Sequence, residues 1–238
     1  MGLFDFFTGG EAGALKKHVK RMKNLNAQAE ERMISAEWLA DNGTDEAVIG
    51  LLGRYAVVYE QRMKDTQEKE RVYELLKSMG PRVCDPIRQW VRKNEQFAVP
   101  LRIIDELEGH TAAVDILLEM LGREVDPFKP EKKRQILIRL AGYRDDRIVE
   151  RVPAVLHDFD EGVRYAAAEA LLSQETDAVR DDLAAALASR EEESNRLRVR
   201  LAEAFHKRGW ELTGDQAEAV AERPPHGWTV SGTQLQHG

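Results

Sequence analysis

Along nearly the whole chain, a pair of small or apolar residues is followed, after two intervening positions, by a further apolar one. The pattern occurs at Ser35-Ala36 with Leu39, Val72-Tyr73 with Leu76, Ile103-Ile104 with Leu107, Ile136-Leu137 with Leu140, Ala167-Ala168 with Leu171 and Leu201-Ala202 with Phe205. Positions i, i+1 and i+4 share one stripe of a helix, so each occurrence predicts a helix with one buried face. The steps from Ala36 through Tyr73, Ile104, Leu137 and Ala168 to Ala202 are 37, 31, 33, 31 and 34 residues. At about 1.5 Å of rise per helical residue, such a step holds two short helices and two turns.

Turn-forming residues follow each occurrence, among them Asn42-Gly43-Thr44, Gly80-Pro81, Gly109-His110-Thr111, Gly142-Tyr143, Gln174-Glu175-Thr176-Asp177 and Gly209. A second apolar stripe then begins at helical spacing: Val48 and Leu52, Val83 and Ile87, Val114 with Leu117 and Leu118, Val149 with Val152 and Leu156, Val179 with Leu183 and Leu187, and Ala217 with Val220. No stretch alternates strictly with the two-residue period of a half-buried strand. Aromatic residues make up only 7% of the chain, and Ala, Leu, Glu and Arg dominate, which favours helix over sheet. The predicted class is therefore all-α, with helical hairpins stacked in a row.

One hairpin is especially diagnostic. Residues 149–159 carry Pro153 in a first helix, Asp158 and Asp160 mark a turn, and residues 163–171, Val-Arg-Tyr-Ala-Ala-Ala-Glu-Ala-Leu, make a second helix. This unit resembles a HEAT repeat, and the resemblance extends over roughly residues 27–222. It implies a right-handed α-solenoid, a superhelix of about six HEAT-like hairpins. The expected organisation is an apolar, flexible N-terminal tip over residues 1–13, the solenoid with a basic first helix over 14–222, and a polar tail over 223–238. Arg223-Pro224-Pro225 stops the last helix, Trp228 and Val230 are expected to cap the final pair, and residues 231–238 read as disordered.

Aligning the repeats exposes two charged columns. Seven residues before the last apolar residue of each occurrence stand Arg32, Lys69, Lys133, Arg164 and Arg198, with Pro100 in the remaining unit. An offset of about two helical turns keeps these cations near the packed edge. They are expected to form a structural ladder in which cations pair with turn carboxylates such as Asp160 and cover apolar surface with their stems. The second column holds Glu37, Glu74, Asp105, Glu169 and Glu203, with Ile138 in the remaining unit, and points away from the core. The HEAT resemblance implies that second helices line a concave face, which makes this column an acidic stripe suited to a protein partner with a basic surface or segment. Arg71, Arg102 and Arg200 stand three residues before Glu74, Asp105 and Glu203, whereas Glu37 and Glu169 lack such an arginine and are expected to be the least neutralised.

Charge is segregated along the chain. The 238 residues carry a net charge of −7. In the first 26 residues, Lys16, Lys17, Lys20, Arg21 and Lys23 face only Asp5 and Glu11, leaving that segment at +3 and the remainder at −10. With Leu15, Val19 and Met22 at helical spacing, the segment makes an amphipathic basic helix, and Phe4, Phe6 and Phe7 precede it. Two readings stay open: docking of Phe4, Phe6, Phe7 and the cations on an anionic membrane surface or a partner, or packing of the helix beneath Ala36 and Leu39 as the first of the solenoid. No apolar run is long enough to span a membrane and no secretory leader is recognisable, so the expected location is cytoplasmic, with peripheral attachment to the inner face of the membrane as the variant.

Catalytic patterns are scarce. The single cysteine, Cys84, has no neighbouring histidine, and no two of the six histidines stand four residues apart as metal ligands on one helix face. His157 with Asp158 and Asp160 is the only local cluster, and a turn with a helix cap accounts for it. No metal or cofactor is expected. Two enzyme classes are built on HEAT-like solenoids. Alkylpurine glycosylases use a basic groove, which an acidic column would spoil by repelling phosphates, so nucleic acid is an unfavoured ligand. Phycobilisome lyases share the repeat pattern, but the likeness carries over no catalytic residue. The sequence thus points to a non-enzymatic scaffold or adaptor for protein–protein interaction, with a lyase-like cofactor chaperone or a DNA glycosylase-like enzyme on a HEAT solenoid as the alternative.

Overall fold

The computed structural model describes residues 4–124 and 128–238, with side chains from residue 10 onward in the first helix. Among the described residues it is overwhelmingly helical: α1 Phe4–Met22, α2 Ala29–Asn42, α3 Asp45–Leu52, α4 Arg62–Ser78, α5 Cys84–Lys93, α6 Ala98–Glu108, α7 His110–Arg123, α8 Pro130–Leu140, α9 Asp146–Arg151, α10 Glu161–Leu172, α11 Arg180–Ala188, α12 Asn195–Arg208 and α13 Gly214–Glu222. Short 3-10 turns occupy Gly80–Val83, Pro153–His157 and Asp177–Val179. The recurring apolar motifs fall on α2, α4, α6, α8, α10 and α12, the second helices of successive pairs, and nearly all of their residues are buried.

The chain divides into two compact units, Met1–Ile116 and Leu117–Gly238. In the first, α1 packs on α2 and α3, α3 on α5, α2 on α4 and α4 on α6. In the second, α8 packs on α10, α10 on α12 and α11 on α13. Within each unit, helices two apart in sequence therefore lie side by side, which buries Leu39, Leu76 and Ile104 in one and Leu137, Leu171 and Phe205 in the other.

Local chemistry sets the boundaries. Thr44, Asp160 and Ser194 begin α3, α10 and α12 by accepting the amides of Ala47, Val163 and Leu197. Thr213 and Gln216 form a reciprocal capping box at α13. Gly43 and Gly209 end α2 and α12 with φ of 68° and 64°, a conformation that an L side chain resists. Pro153 lies not within a first helix but at the start of a 3-10 turn, because it has no amide hydrogen to continue α9.

The termini depart from expectation. Helix α1 does not start near residue 14; its backbone is helical from Phe4, through Gly9, Gly10 and Gly13. The tail, read as disordered from residue 231, forms an antiparallel hairpin of β1 Trp228–Ser231 and β2 Gln234–His237. Gly232, at φ 62°, opens its two-residue turn, which suits the twist of the strands. The expected cap over the last helices is present, but Leu235 rather than Val230 joins Trp228 in burial. His206 donates to the Leu235 carbonyl at 3.0 Å, and the Leu212 amide to the Thr233 carbonyl at 2.9 Å.

Candidate functional site

The first unit contains a buried charge cluster. Arg32 of α2 grips Glu68 of α4 through Nε–Oε2 at 2.9 Å and Nη2–Oε1 at 2.6 Å. Arg54, just past α3 and without exposed surface, bonds Glu68 Oε2 at 3.0 Å and Asp65 Oδ1 at 2.7 Å. Lys69 completes the set on Asp65 Oδ2 at 2.7 Å. The guanidinium carbons of Arg32 and Arg54 lie 4.3 and 4.4 Å from the centroid of the Tyr59 ring, within cation–π range. The Tyr59 hydroxyl is buried without a hydrogen-bond partner, and burial raises its pKa. For Glu68, burial alone would raise the pKa, but hydrogen bonds from Arg32 and Arg54 outweigh it and hold the carboxyl below its usual range. Against this cluster opens a groove of about 580 Å³, with Leu25 and Val58 exposed on its walls and Glu30, Glu60 and Lys64 contributing charge.

Four of the five members of the cation column form ion pairs; Lys133 and Arg164 take turn carboxylates as expected, whereas Arg32 and Lys69 take carboxylates of α4. Arg32 takes Glu68, Lys69 takes Asp65, Lys133 takes Asp158 at 2.6 Å, and Arg164 takes Glu192 through Nε–Oε2 at 2.6 Å and Nη2–Oε1 at 2.9 Å. Asp160 receives none of them; its side chain is committed to capping α10. Except at Lys69, the carboxylate comes from further along the chain, so each of these bonds clasps one hairpin to the next. Arg198 breaks the series: it is nearly fully buried, forms no ion pair, donates Nη2 to the Arg223 carbonyl and leaves Nε without a partner.

The acidic column is divided differently from the sequence expectation. Glu37 and Glu169, expected to be least neutralised, are the carboxylates held by arginines of the following hairpin: Arg71 to Glu37 at 3.0 Å, and Arg200 to Glu169 at 2.5 and 3.2 Å. These arginines reach back about thirty residues instead of pairing three residues along their own helices. Asp105 is partly covered and meets His110 at 2.6 Å. Glu74 and Glu203 are exposed and form no ion pair among the described residues.

Within the first unit, the basic helix α1 packs on α2 and α3. Met22 is fully buried, Val19 faces Gly50, Lys23 lays its stem against Gly53, and His18 stacks on Trp38 with ring centroids 4.4 Å apart. Lys16, Lys17, Lys20 and Lys23 are exposed and Arg21 half-buried. The side chains of Phe4, Phe6 and Phe7 lie outside the described residues.

Cys84 is buried, and burial, reinforced by a hydrogen bond with Glu108, pushes its thiol up to about 12, far from the thiolate that nucleophilic chemistry needs. Among the described residues, no three His, Cys, Asp or Glu side chains converge as metal ligands. At His157, Asp158 is taken by Lys133 and by the Asp160 amide. Among the described residues no helix is long and apolar enough to cross a membrane. Arg54, Tyr59, Asp65, Glu68 and Glu192 escaped the sequence reading. A signal existed for part of the set, since Asp158 and Glu192 each stand six residues before the next column cation, Arg164 and Arg198. No protein-family model, curated protein or solved structure matches the chain.

Proposed function

We propose that this protein is a non-enzymatic scaffold, a right-handed solenoid of about six HEAT-like hairpins that holds a basic segment of a protein partner on its acidic column. The packing of every second helix side by side within each unit supports the architecture. The observation that carries the binding role is the state of the column: Arg71 and Arg200 hold Glu37 and Glu169, while Glu74 and Glu203 present carboxylates to solvent and form no ion pair among the described residues. Fixed carboxylates beside unpaired ones complement a lysine- or arginine-bearing segment, contributing selectivity and on-rate above all. Affinity purification with the native chain and with Glu37, Glu74, Asp105, Glu169 and Glu203 all reversed to lysine tests this. Loss of a specific partner on reversal supports the column; retention overturns it.

A second reading rests on α1, whose packing against α2 and α3 leaves Lys16, Lys17, Lys20 and Lys23 exposed. A basic surface of this kind suits the anionic inner face of the cell membrane. Co-sedimentation with anionic and neutral vesicles, before and after replacing the four lysines by glutamine, decides it.

A further inference from the structure

At the end of the cation column, the second unit keeps an arginine that forms no ion pair with a carboxylate among the described residues. Arg32, Lys133 and Arg164 each receive Glu or Asp from a later hairpin. Arg198 receives only the backbone carbonyl of Arg223, and that residue brings a second guanidinium, which donates to the Glu192 carbonyl. Glu192 does not pair with Arg198: its two oxygens hold Arg164, and the Ser194 amide shares Oε1 at 2.7 Å. Arg198 is thus about 95% buried with Nε unsatisfied; burial and the neighbouring Arg223 lower its pKa, against the pull of Glu192. A buried guanidinium without a counter-charge is costly to a fold unless an anion completes it.

Arg198 also lines a cavity of about 360 Å³ together with Ser189, Arg190, Glu222 and Arg223. Its one carboxylate, Glu222, is engaged at 2.9 Å by Arg190, an exposed side chain at the rim. Three guanidinium groups against one carboxylate leave the cavity at +2.

We propose that this cavity is an anion site that takes a carboxylate group, seated on Arg198 as Glu192 is seated on Arg164. Planar, two-pronged donation from arginine matches a carboxylate, and the volume admits a side chain or a small diacid. The site is separate from the acidic column, and opposite to it in charge. Its ligand is either a free small dicarboxylate or the Asp or Glu of an acidic peptide.

Thermal unfolding of the full chain in succinate, in a glutamate-rich peptide, in inorganic phosphate and in sodium chloride of equal ionic strength tests it, alongside the Arg Nε–H resonance of residue 198 by NMR. Carboxylate should raise the Tm by about 3 °C or more at ten times its Kd and shift that resonance, whereas chloride should do neither. Succinate and peptide acting alike would mark a general carboxylate site, and a response to the peptide alone would assign it to a protein ligand. Arg198→Met should fold at least as stably as the native chain without ligand and lose the response. Arg190→Gln, at the exposed rim, should keep the fold and weaken the response several-fold. No carboxylate response, a response surviving in Arg198→Met, or phosphate acting where carboxylates do not would each overturn the assignment.

Discussion

Arg32 and Glu68, 36 positions apart, meet through two parallel hydrogen bonds of 2.9 and 2.6 Å, with both side chains almost wholly out of solvent. The same carboxylate also serves Arg54, so one residue of α4 neutralises an arginine of α2 and another from the connection between α3 and α4. Glu68→Ala leaves both cations without this partner, and Arg54 has no exposed surface from which to find water. Breaking a buried pair from one side costs about 3–5 kcal/mol. Urea denaturation of the variant should show a loss in that range; a loss below about 1 kcal/mol would mean that the cluster is far wetter than its geometry.

Acid should act through the same cluster. The carboxyls of Asp65 and Glu68 sit below their ordinary range: burial would raise them, but hydrogen bonds from Lys69 and Arg54 to Asp65, and from Arg32 and Arg54 to Glu68, prevail. A carboxyl depressed on folding contributes stability that is present above its unfolded value, about 4, and is lost as pH falls through the folded value. Stability should therefore hold near pH 6 and decline below about pH 4, more steeply for the native chain than for Glu68→Gln. Equal acid slopes for the two would contradict this account.

Glu175 is the one residue other than glycine with a positive φ, 57°, among the described residues. Left-handed backbone costs an L residue roughly 1–2 kcal/mol, and the exposed pair of Glu175 with Arg144 at 3.2 Å returns at most a fraction of that. Glu175→Gly should raise stability by about 0.5 kcal/mol after the entropic cost of glycine, whereas Glu175→Ala should bring no gain. Parallel thermal melts of the two variants separate relief of strain from loss of charge.

The thiol of Cys84 offers a probe of opening. Burial and Glu108 push it up to about 12, so little thiolate exists at neutral pH, and the residue is almost wholly buried. Labelling by a disulfide reagent should be slow in buffer and should accelerate with urea in step with unfolding of the first unit. Rapid labelling of the native protein would place the residue nearer the surface than its burial indicates.

Helix positions were legible because they depend on local periodicity: Ala36, Tyr73, Ile104, Leu137, Ala168 and Ala202 all lie in second helices, as their spacing predicts. Pairing was far less legible. Arg71 stands three residues before Glu74 yet bonds Glu37, since partners are chosen by which hairpins pack together, and the sequence fixes no such register. Arg54 and Tyr59 lie between helices, outside any repeat column, so only the folded chain brings them to Arg32 and Glu68. The terminal hairpin was missed for another reason. Its alternation spans only four residues per strand, too short to stand out beside the helical pattern, although Gly232 in a two-residue turn was the available signal.

That hairpin should matter to the second unit more than its length suggests. Trp228 is 5% exposed, with its ring 5.4 Å from His206 of α12 and 4.7 Å from His237 on the opposing strand. Leu235 is similarly buried, while Val230 is only partly covered. A repeat array leaves the apolar side of its last member uncovered unless something caps it, and here Trp228 and Leu235 cover part of α12. Removing a buried tryptophan side chain costs about 3–5 kcal/mol where the surroundings cannot collapse into the space. Trp228→Ala should approach the lower end of that range, and hydrogen exchange should quicken first in α12 and α13. Val230→Ala should cost less than about 1 kcal/mol. If both substitutions were equally mild, the hairpin would be an appendage and α12 would be stabilised by its other neighbours alone.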